Sequence, residues 1–68
     1  MIRLGEFEYC GKVKLTDVDG KVYVGEAMEI TDAEDRSDLE EQEDGITLEI
    51  DGMYIEFLIS EITSIEKL

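Results

Sequence analysis

Residues 46–57 read ITLEIDGMYIEF, two alternating segments that meet at the pair Asp51-Gly52. Asp-Gly between alternating apolar residues is a strong signal of a β-hairpin, because glycine adopts a positive φ without steric cost. A two-residue turn at this pair places apolar residues opposite one another at every inward position. The inward pairs are Ile50 with Met53, Leu48 with Ile55, and Ile46 with Phe57. A slip of one residue would oppose apolar and charged side chains, so the pattern predicts one register.

The first half of the chain alternates in the same way around Asp19-Gly20. A four-residue connection over residues 17–20 again opposes apolar residues, and it predicts a second antiparallel hairpin. The pairs expected from this connection are Leu15 with Val22, Val13 with Val24, Tyr9 with Met28, and Phe7 with Ile30. Gly11 and Gly25 lie in the middle of these two long strands, where small residues allow a sheet to bend sharply.

Near the end of the chain, the spacing of Ile62 and Ile65 breaks the period of two, and residues 60–63 predict one turn of 3₁₀ helix. The sequence therefore predicts a mainly β domain, a five-stranded small barrel with one short 3₁₀ turn and an acidic loop. The strands are expected near residues 7–16, 21–31, 45–50, 53–59 and 64–67. The expected core consists of Phe7, Tyr9, Val13, Leu15, Val22, Val24, Ile30, Leu48, Ile55, Phe57, Ile62 and Ile65.

Composition points to one small domain over residues 1–68, in which 43% of the residues are hydrophobic. A core this small is only marginally stable, and a single cysteine with no histidine argues against a disulfide or a zinc site. A homo-oligomer is the simplest remaining source of stability. The chain shows no signal peptide and no long apolar run, so a cytoplasmic protein that does not enter a membrane is expected.

The charge is concentrated in residues 32–44, in a chain whose net charge is −13. This charge repels nucleic acid and anionic lipid, and it favours a basic partner protein. We expect a loop here, because few apolar residues are present to bury one face of a helix. The candidate partner-binding carboxylates of this acidic loop are Asp32, Glu34, Asp35, Asp38, Glu40, Glu41, Glu43 and Asp44.

No pattern in the sequence indicates catalysis, so an enzyme and a cofactor are not expected. Acid–base catalysis needs a carboxyl group in a pocket or beside a fixed neighbour, and hydrated carboxylates in a loop do not fit this requirement. The spacing of the acids does not fit the EF-hand loop, and Cys10 has no histidine to activate it. Tyr23, Tyr54 and Leu58 alternate away from the expected core, and they are the candidate interface of an oligomer.

Three stretches carry a resemblance to a known family. Residues 11–15, GKVKL, and residues 19–25, DGKVYVG, resemble the first motif of Sm-like (LSm) small barrels, and residues 60–66, SEITSIE, are similar to the short turn and last strand of SH3-like barrels. The resemblance implies a five-stranded SH3-like (Sm-like) small barrel that assembles into rings through its strand edges. Sm-like RNA binders have Asp-x-x-Met-Asn and Arg-Gly motifs, whereas this chain has DAED at 32–35 and IDG at 50–52. The resemblance thus implies the fold but not the RNA site.

The sequence therefore predicts a non-catalytic, self-associating interaction module whose acidic loop contacts a basic partner protein. Two alternatives remain open at this point. One is an Sm-type RNA-binding protein that acts as an oligomeric ring, and the other is an acidic mimic of nucleic acid that inhibits a DNA-binding protein.

Overall fold

A computed structural model of the chain describes residues 2–33 and 43–68. Five antiparallel strands form a single sheet: β1 (Gly11–Asp17), β2 (Val22–Thr31), β3 (Gly45–Ile50), β4 (Met53–Leu58) and β5 (Ile62–Lys67). Their order in the sheet is β4-β3-β2-β1-β5. The mainly β prediction with five strands is confirmed. The sheet is not closed, because β4 and β5 lie at its two edges without pairing.

The second hairpin has the predicted register at every position. Ile50 lies opposite Met53, and the pairing continues from there to Gly45 opposite Leu58. Asp51 and Gly52 have φ values of 52° and 82°, as a two-residue type I′ turn requires. This turn matches the right-handed twist of the strands, which is why the local sequence was sufficient to predict it.

The first hairpin has a different register from the predicted one, shifted by a single residue. Leu15 lies opposite Tyr23 rather than Val22, and Val13 lies opposite Gly25 rather than Val24. Because side chains alternate between the faces of a sheet, this shift turns Tyr23 towards the core. Val22 and Val24, which were predicted in the core, face outward and are 54% and 46% exposed.

The physical reason lies in the connection, which has three residues, Val18 to Gly20, rather than the four that the sequence predicts. The Asp17 amide donates to the Lys21 carbonyl at 2.9 Å, and the Gly20 amide donates to the Asp17 carbonyl at 3.0 Å. Gly20 has a φ of 83°, as expected in a type I turn followed by a bulge. The Asp17 carboxylate then accepts hydrogen bonds from the amides of Asp19 and Lys21, both at 2.9 Å. These bonds satisfy backbone amides in and beside the three-residue connection.

The residues before β1 also differ from the prediction, which extended the first strand back to residue 7. Leu4–Phe7 is a 3₁₀ helix, and β1 begins only at Gly11. Tyr9 has a φ of 50° and is 66% exposed, so its predicted place in the core is wrong. The alternation of apolar residues was read as strand, but the positive φ at Tyr9 interrupts the extended backbone.

This N-terminal segment supports an irregularity in β2, where the pairing with β3 shifts between Ala27 and Ile30. Residues 28 and 29 of β2 thus oppose the single residue Thr47 of β3, which is the arrangement of a β-bulge. The Tyr9 amide donates to the Met28 carbonyl at 3.2 Å, and the Ile30 amide donates to the Glu8 carboxylate at 3.0 Å. The segment therefore provides hydrogen-bond partners at the place where the regular ladder is interrupted.

The core lies on the inner face of the sheet, under the first 3₁₀ helix. Of the predicted core residues, Val13, Leu15, Leu48, Phe57 and Ile62 are buried. Phe7, Ile30, Ile55 and Ile65 are partly buried and pack against them. The prediction missed three buried residues, Leu4, Ala27 and Ile46.

A second 3₁₀ helix, Ile59–Glu61, joins β4 to β5, close to the predicted turn at residues 60–63. It connects the opposite edges of the sheet with only three residues. A flat five-stranded sheet would separate these edges by about 19 Å, whereas three residues of 3₁₀ helix rise only about 6 Å. The sheet must therefore curl so that the end of β4 approaches the start of β5. No helix in the described residues is long and apolar enough to cross a membrane.

The curl brings β3 very close to β2 at Gly25. A Cβ atom at this position would lie 2.6 Å from the Glu49 carbonyl oxygen and 2.6 Å from Ile50 Cγ1. One of these atoms belongs to the backbone and cannot move without shifting β3. Glycine is thus required here because the space for a side chain is already occupied.

We expect Gly25→Ala to lower the free energy of unfolding by about 1–3 kcal/mol, because the added methyl group forces β3 away from β2. Gly5→Ala is the matched control, since its Cβ would have no neighbour within 4 Å. Urea unfolding monitored by circular dichroism measures both changes. Equal effects of the two substitutions would contradict the close approach at Gly25.

Candidate protein-interaction surface

The outer face of the sheet carries a row of four residues that lie directly opposite one another on neighbouring strands. Lys12 on β1 pairs with Glu26 on β2, Glu26 pairs with Glu49 on β3, and Glu49 pairs with Tyr54 on β4. We call this set the Glu26 row. The core residues occupy the alternate positions of these strands, so the row belongs to the opposite face.

The Glu26 row places two carboxylates side by side on rigid strands. Like charges directly opposite each other destabilise a sheet by roughly 0.2–1 kcal/mol. Lys12 offsets part of this repulsion on one side of Glu26, while Glu49 has Tyr54 on its other side. The two carboxylates are held together at a cost in stability, which is typical of surfaces kept for function.

Tyr54 gives the Glu26 row a second kind of contact. Its side chain is 72% exposed, so its ring is open to a partner. Two carboxylates beside an accessible aromatic ring suit a lysine or arginine side chain, which can form charged hydrogen bonds and a cation–π contact. The arrangement can therefore recognise a basic side chain without any catalytic group.

The predicted interface residues have different environments. Tyr54 is exposed as expected, and Leu58 is half-buried. The prediction that Tyr23 faces outward is wrong, because its ring packs 4.9 Å from the ring of Phe57. Val22 and Val24 occupy the outer face in its place, and sequence reasoning missed them. The signal that could have found them is the spacing of Asp17 and Gly20, which suits a type I turn with a bulge.

The predicted acidic loop is described only at its ends. Glu34, Asp35, Asp38, Glu40 and Glu41 lie outside the described residues. Asp32 is exposed.

Two carboxylates at the ends of that loop bond to backbone amides of the same chain. Asp44 accepts a hydrogen bond from the Ala33 amide, and Glu43 accepts one from the Ser60 amide, both at 2.9 Å. The Asp44 carbonyl also accepts a bond from the Ile59 amide at 2.9 Å. These contacts join the start of β3 to the second 3₁₀ helix and to the end of β2, so both carboxylates have a structural role.

Other chemical groups form no arrangement of their own in the described residues. Cys10 is half-buried and packs against the core. Within residues 2–33 and 43–68, no three metal-binding side chains come together, and no pocket is present. Comparison with protein-family models, curated proteins and solved structures found no match. The function is therefore inferred from the surface itself.

We expect Glu49→Gln to raise the free energy of unfolding by roughly 0.2–1 kcal/mol, because it removes the repulsion from Glu26. Glu29→Gln is the matched control, since it removes one charge from an exposed position of β2 outside the row. Thermal unfolding at low salt should show a larger gain for Glu49→Gln, and the difference should shrink as salt screens the charges. The same gain in both variants would mean that only net charge matters.

Proposed function

We propose that this chain is a non-catalytic, self-associating interaction module that binds a basic partner protein. The observation that carries the proposal is the pair of carboxylates, Glu26 and Glu49, held opposite each other beside the exposed ring of Tyr54. A lysine or arginine of the partner would neutralise the repulsion between the two carboxylates on binding. The repulsion that destabilises the free protein is thereby removed in the complex, and its removal favours binding.

The overall charge supports a basic partner. The chain has 19 acidic residues and 6 basic ones. A net charge of this size steers basic surfaces towards the protein and accelerates their association at low salt. The acidic loop, including Asp32, adds to this field, while the Glu26 row provides fixed positions for contact. Because the row lies on strands, little side-chain and backbone ordering is needed when the partner binds.

The strand edges support self-association. β4 and β5 each have one side without a neighbouring strand in the described part of the chain. An unpaired edge exposes backbone N–H and C=O groups that a strand of another copy can bond. Addition of β4 of one copy to β5 of the next is a head-to-tail contact, which forms a ring if the rotation closes. Tyr54 and Leu58 on β4 lie beside such a contact.

The finer fold assignment belongs to the same proposal. We propose an SH3-like, Sm-like arrangement on three grounds: the strand order, the curl of the sheet, and the second 3₁₀ helix before the last strand. The resemblance of residues 11–15 and 19–25 to the Sm-like motif agrees with this arrangement.

Binding to a basic partner can be tested with a synthetic peptide of alternating valine and lysine. Replacing both Glu26 and Glu49 by Gln should raise the dissociation constant about tenfold, equivalent to about 1.4 kcal/mol. The control replaces Glu6 and Glu29 by Gln, which changes the net charge equally at exposed positions outside the row. Titration calorimetry should show less than about a twofold change for that control.

Three results would count against the binding proposal. Equal losses of affinity in the two double variants would mean that only the net charge of the protein matters. Equal affinity for a peptide with glutamate in place of lysine would exclude charge recognition altogether. Salt-sensitive binding of single-stranded RNA, in preference to the basic peptide, would favour the RNA-binding alternative.

Self-association can be tested by light scattering, with the monomer mass of 7.7 kDa as the reference. We expect a mass that is a multiple of this value and that increases with salt, because salt screens the repulsion between copies of charge −13. Ser64→Lys should reduce the mass, because a lysine on β5 blocks strand addition. Ser60→Lys is the control, being exposed in the second 3₁₀ helix. A monomer at every salt concentration would refute self-association.

A further inference from the structure

The first part of β2 has a neighbouring strand on one side only. β1 pairs with β2 from Val22 onward, whereas β3 pairs with it only from Glu26. Among the described residues, the backbone of residues 22–24 therefore has no strand on the side of β3. We call this stretch the 22–24 edge.

The hydrogen-bond pattern shows which backbone groups the 22–24 edge presents. The Asp17 amide donates to the Lys21 carbonyl, so residue 21 bonds towards β1. In an antiparallel pair, bonded and non-bonded positions alternate along the strand. Tyr23 therefore also bonds towards β1, and the N–H and C=O groups of Val22 and Val24 point to the uncovered side.

The close approach at Gly25 explains why β3 does not cover this edge. Gly25 lies opposite Val13, so a Cβ atom there would point to the inner face of the sheet. The Glu49 carbonyl oxygen and Ile50 Cγ1 each lie 2.6 Å from the place that this Cβ atom would take. Ile50, the last residue of β3, thus lies over the inner face of β2 at Gly25, and β3 ends there instead of continuing alongside residues 22–24. The curl of the sheet leaves the 22–24 edge open.

The 22–24 edge also lacks the charges that usually protect strand edges from other chains. Residues 22–24 read VYV and carry no charge. Val22 and Val24 are 54% and 46% exposed, and β-branched side chains favour an extended partner beside them.

We propose that the 22–24 edge binds an extended segment of a basic partner protein, which adds to β2 as an extra strand. This inference rests on the proposed function and names the mode of binding. Strand addition gives affinity through backbone hydrogen bonds and specificity through alternate side chains. The apolar side chains of the segment would pack on Val22 and Val24, on the outer face of the sheet.

Charge selects a basic segment over a second copy of this chain. Glu26 follows the edge on the same face of β2, and Glu49 lies opposite it. A strand that pairs with residues 22–24 ends beside these two carboxylates, where a lysine or arginine is favoured. A second copy would bring a charge of −13 to the same place. An interface of this length is small, so the complex is transient.

The valine–lysine peptide described above also tests this inference, with amide hydrogen exchange followed by NMR as the readout. Bound peptide should slow the exchange of the Val22 and Val24 amides, because these groups become hydrogen-bonded donors. Val24→Lys should raise the dissociation constant about tenfold, by placing a like charge on the edge. Val18→Lys is the matched control, because Val18 is 61% exposed in the turn and the substitution changes the net charge equally. It should change affinity less than about twofold.

The outcomes separate this inference from the proposed function. Binding that depends on Glu26 and Glu49 but leaves the Val22 and Val24 amides unchanged would refute strand addition while the proposed function stands. Equal losses for Val24→Lys and Val18→Lys would also refute it. Protection of these amides that grows with protein concentration in the absence of peptide would assign the edge to a second copy. If the peptide with glutamate in place of lysine protects the Val22 and Val24 amides equally, a basic partner is refuted. Strand addition at the 22–24 edge would then stand without a preference for charge.

Discussion

The carboxylate of Asp17 accepts hydrogen bonds from the backbone amides of Asp19 and Lys21, and this contact determines how β1 pairs with β2. It stabilises a three-residue connection, one residue shorter than the four-residue connection that the sequence predicts. The shorter connection shifts the register by one residue, which places Tyr23 in the core and Val22 on the surface. The Asp17 carbonyl also accepts a bond from Thr63 Oγ1 at 3.1 Å, so the same residue attaches the turn to β5. Both the core and the candidate binding surface depend on this one residue.

The two hairpins show what could be predicted from the sequence and why the rest could not. In the second hairpin, a slip would place charged side chains in the core, so the hydrophobic pattern alone determines the register. In the first hairpin, residues 22–24 read VYV, and either register puts apolar side chains on the inner face. The choice is made by hydrogen bonds of the Asp17 side chain, which a count of apolar positions does not include.

The candidate surface was predictable only in part. Tyr54 follows from the pattern of the second hairpin, because the strands on either side of a two-residue turn have only one good pairing. The Glu26 row was not predictable, since it requires the pairing of β2 with β3, and a bulge at residues 28–29 interrupts that ladder. Pairing between strands far apart in sequence depends on how the sheet curls. The sequence indicates a bend at Gly25, but it does not show that β3 lies against β2 at this position.

The acidic side chains of this protein have two kinds of role, and the difference bears on which of them are available to a partner. Glu8, Asp17, Asp44 and Glu61 each accept a hydrogen bond from a backbone amide, at turns, at the bulge and at the ends of strands. Carboxylates are strong acceptors for such amides, so these residues stabilise the fold. Glu26 and Glu49 accept no hydrogen bond within the described residues, and they repel each other. The pair does not hold the backbone as the other acids do, which is why the proposed function assigns it to a basic partner.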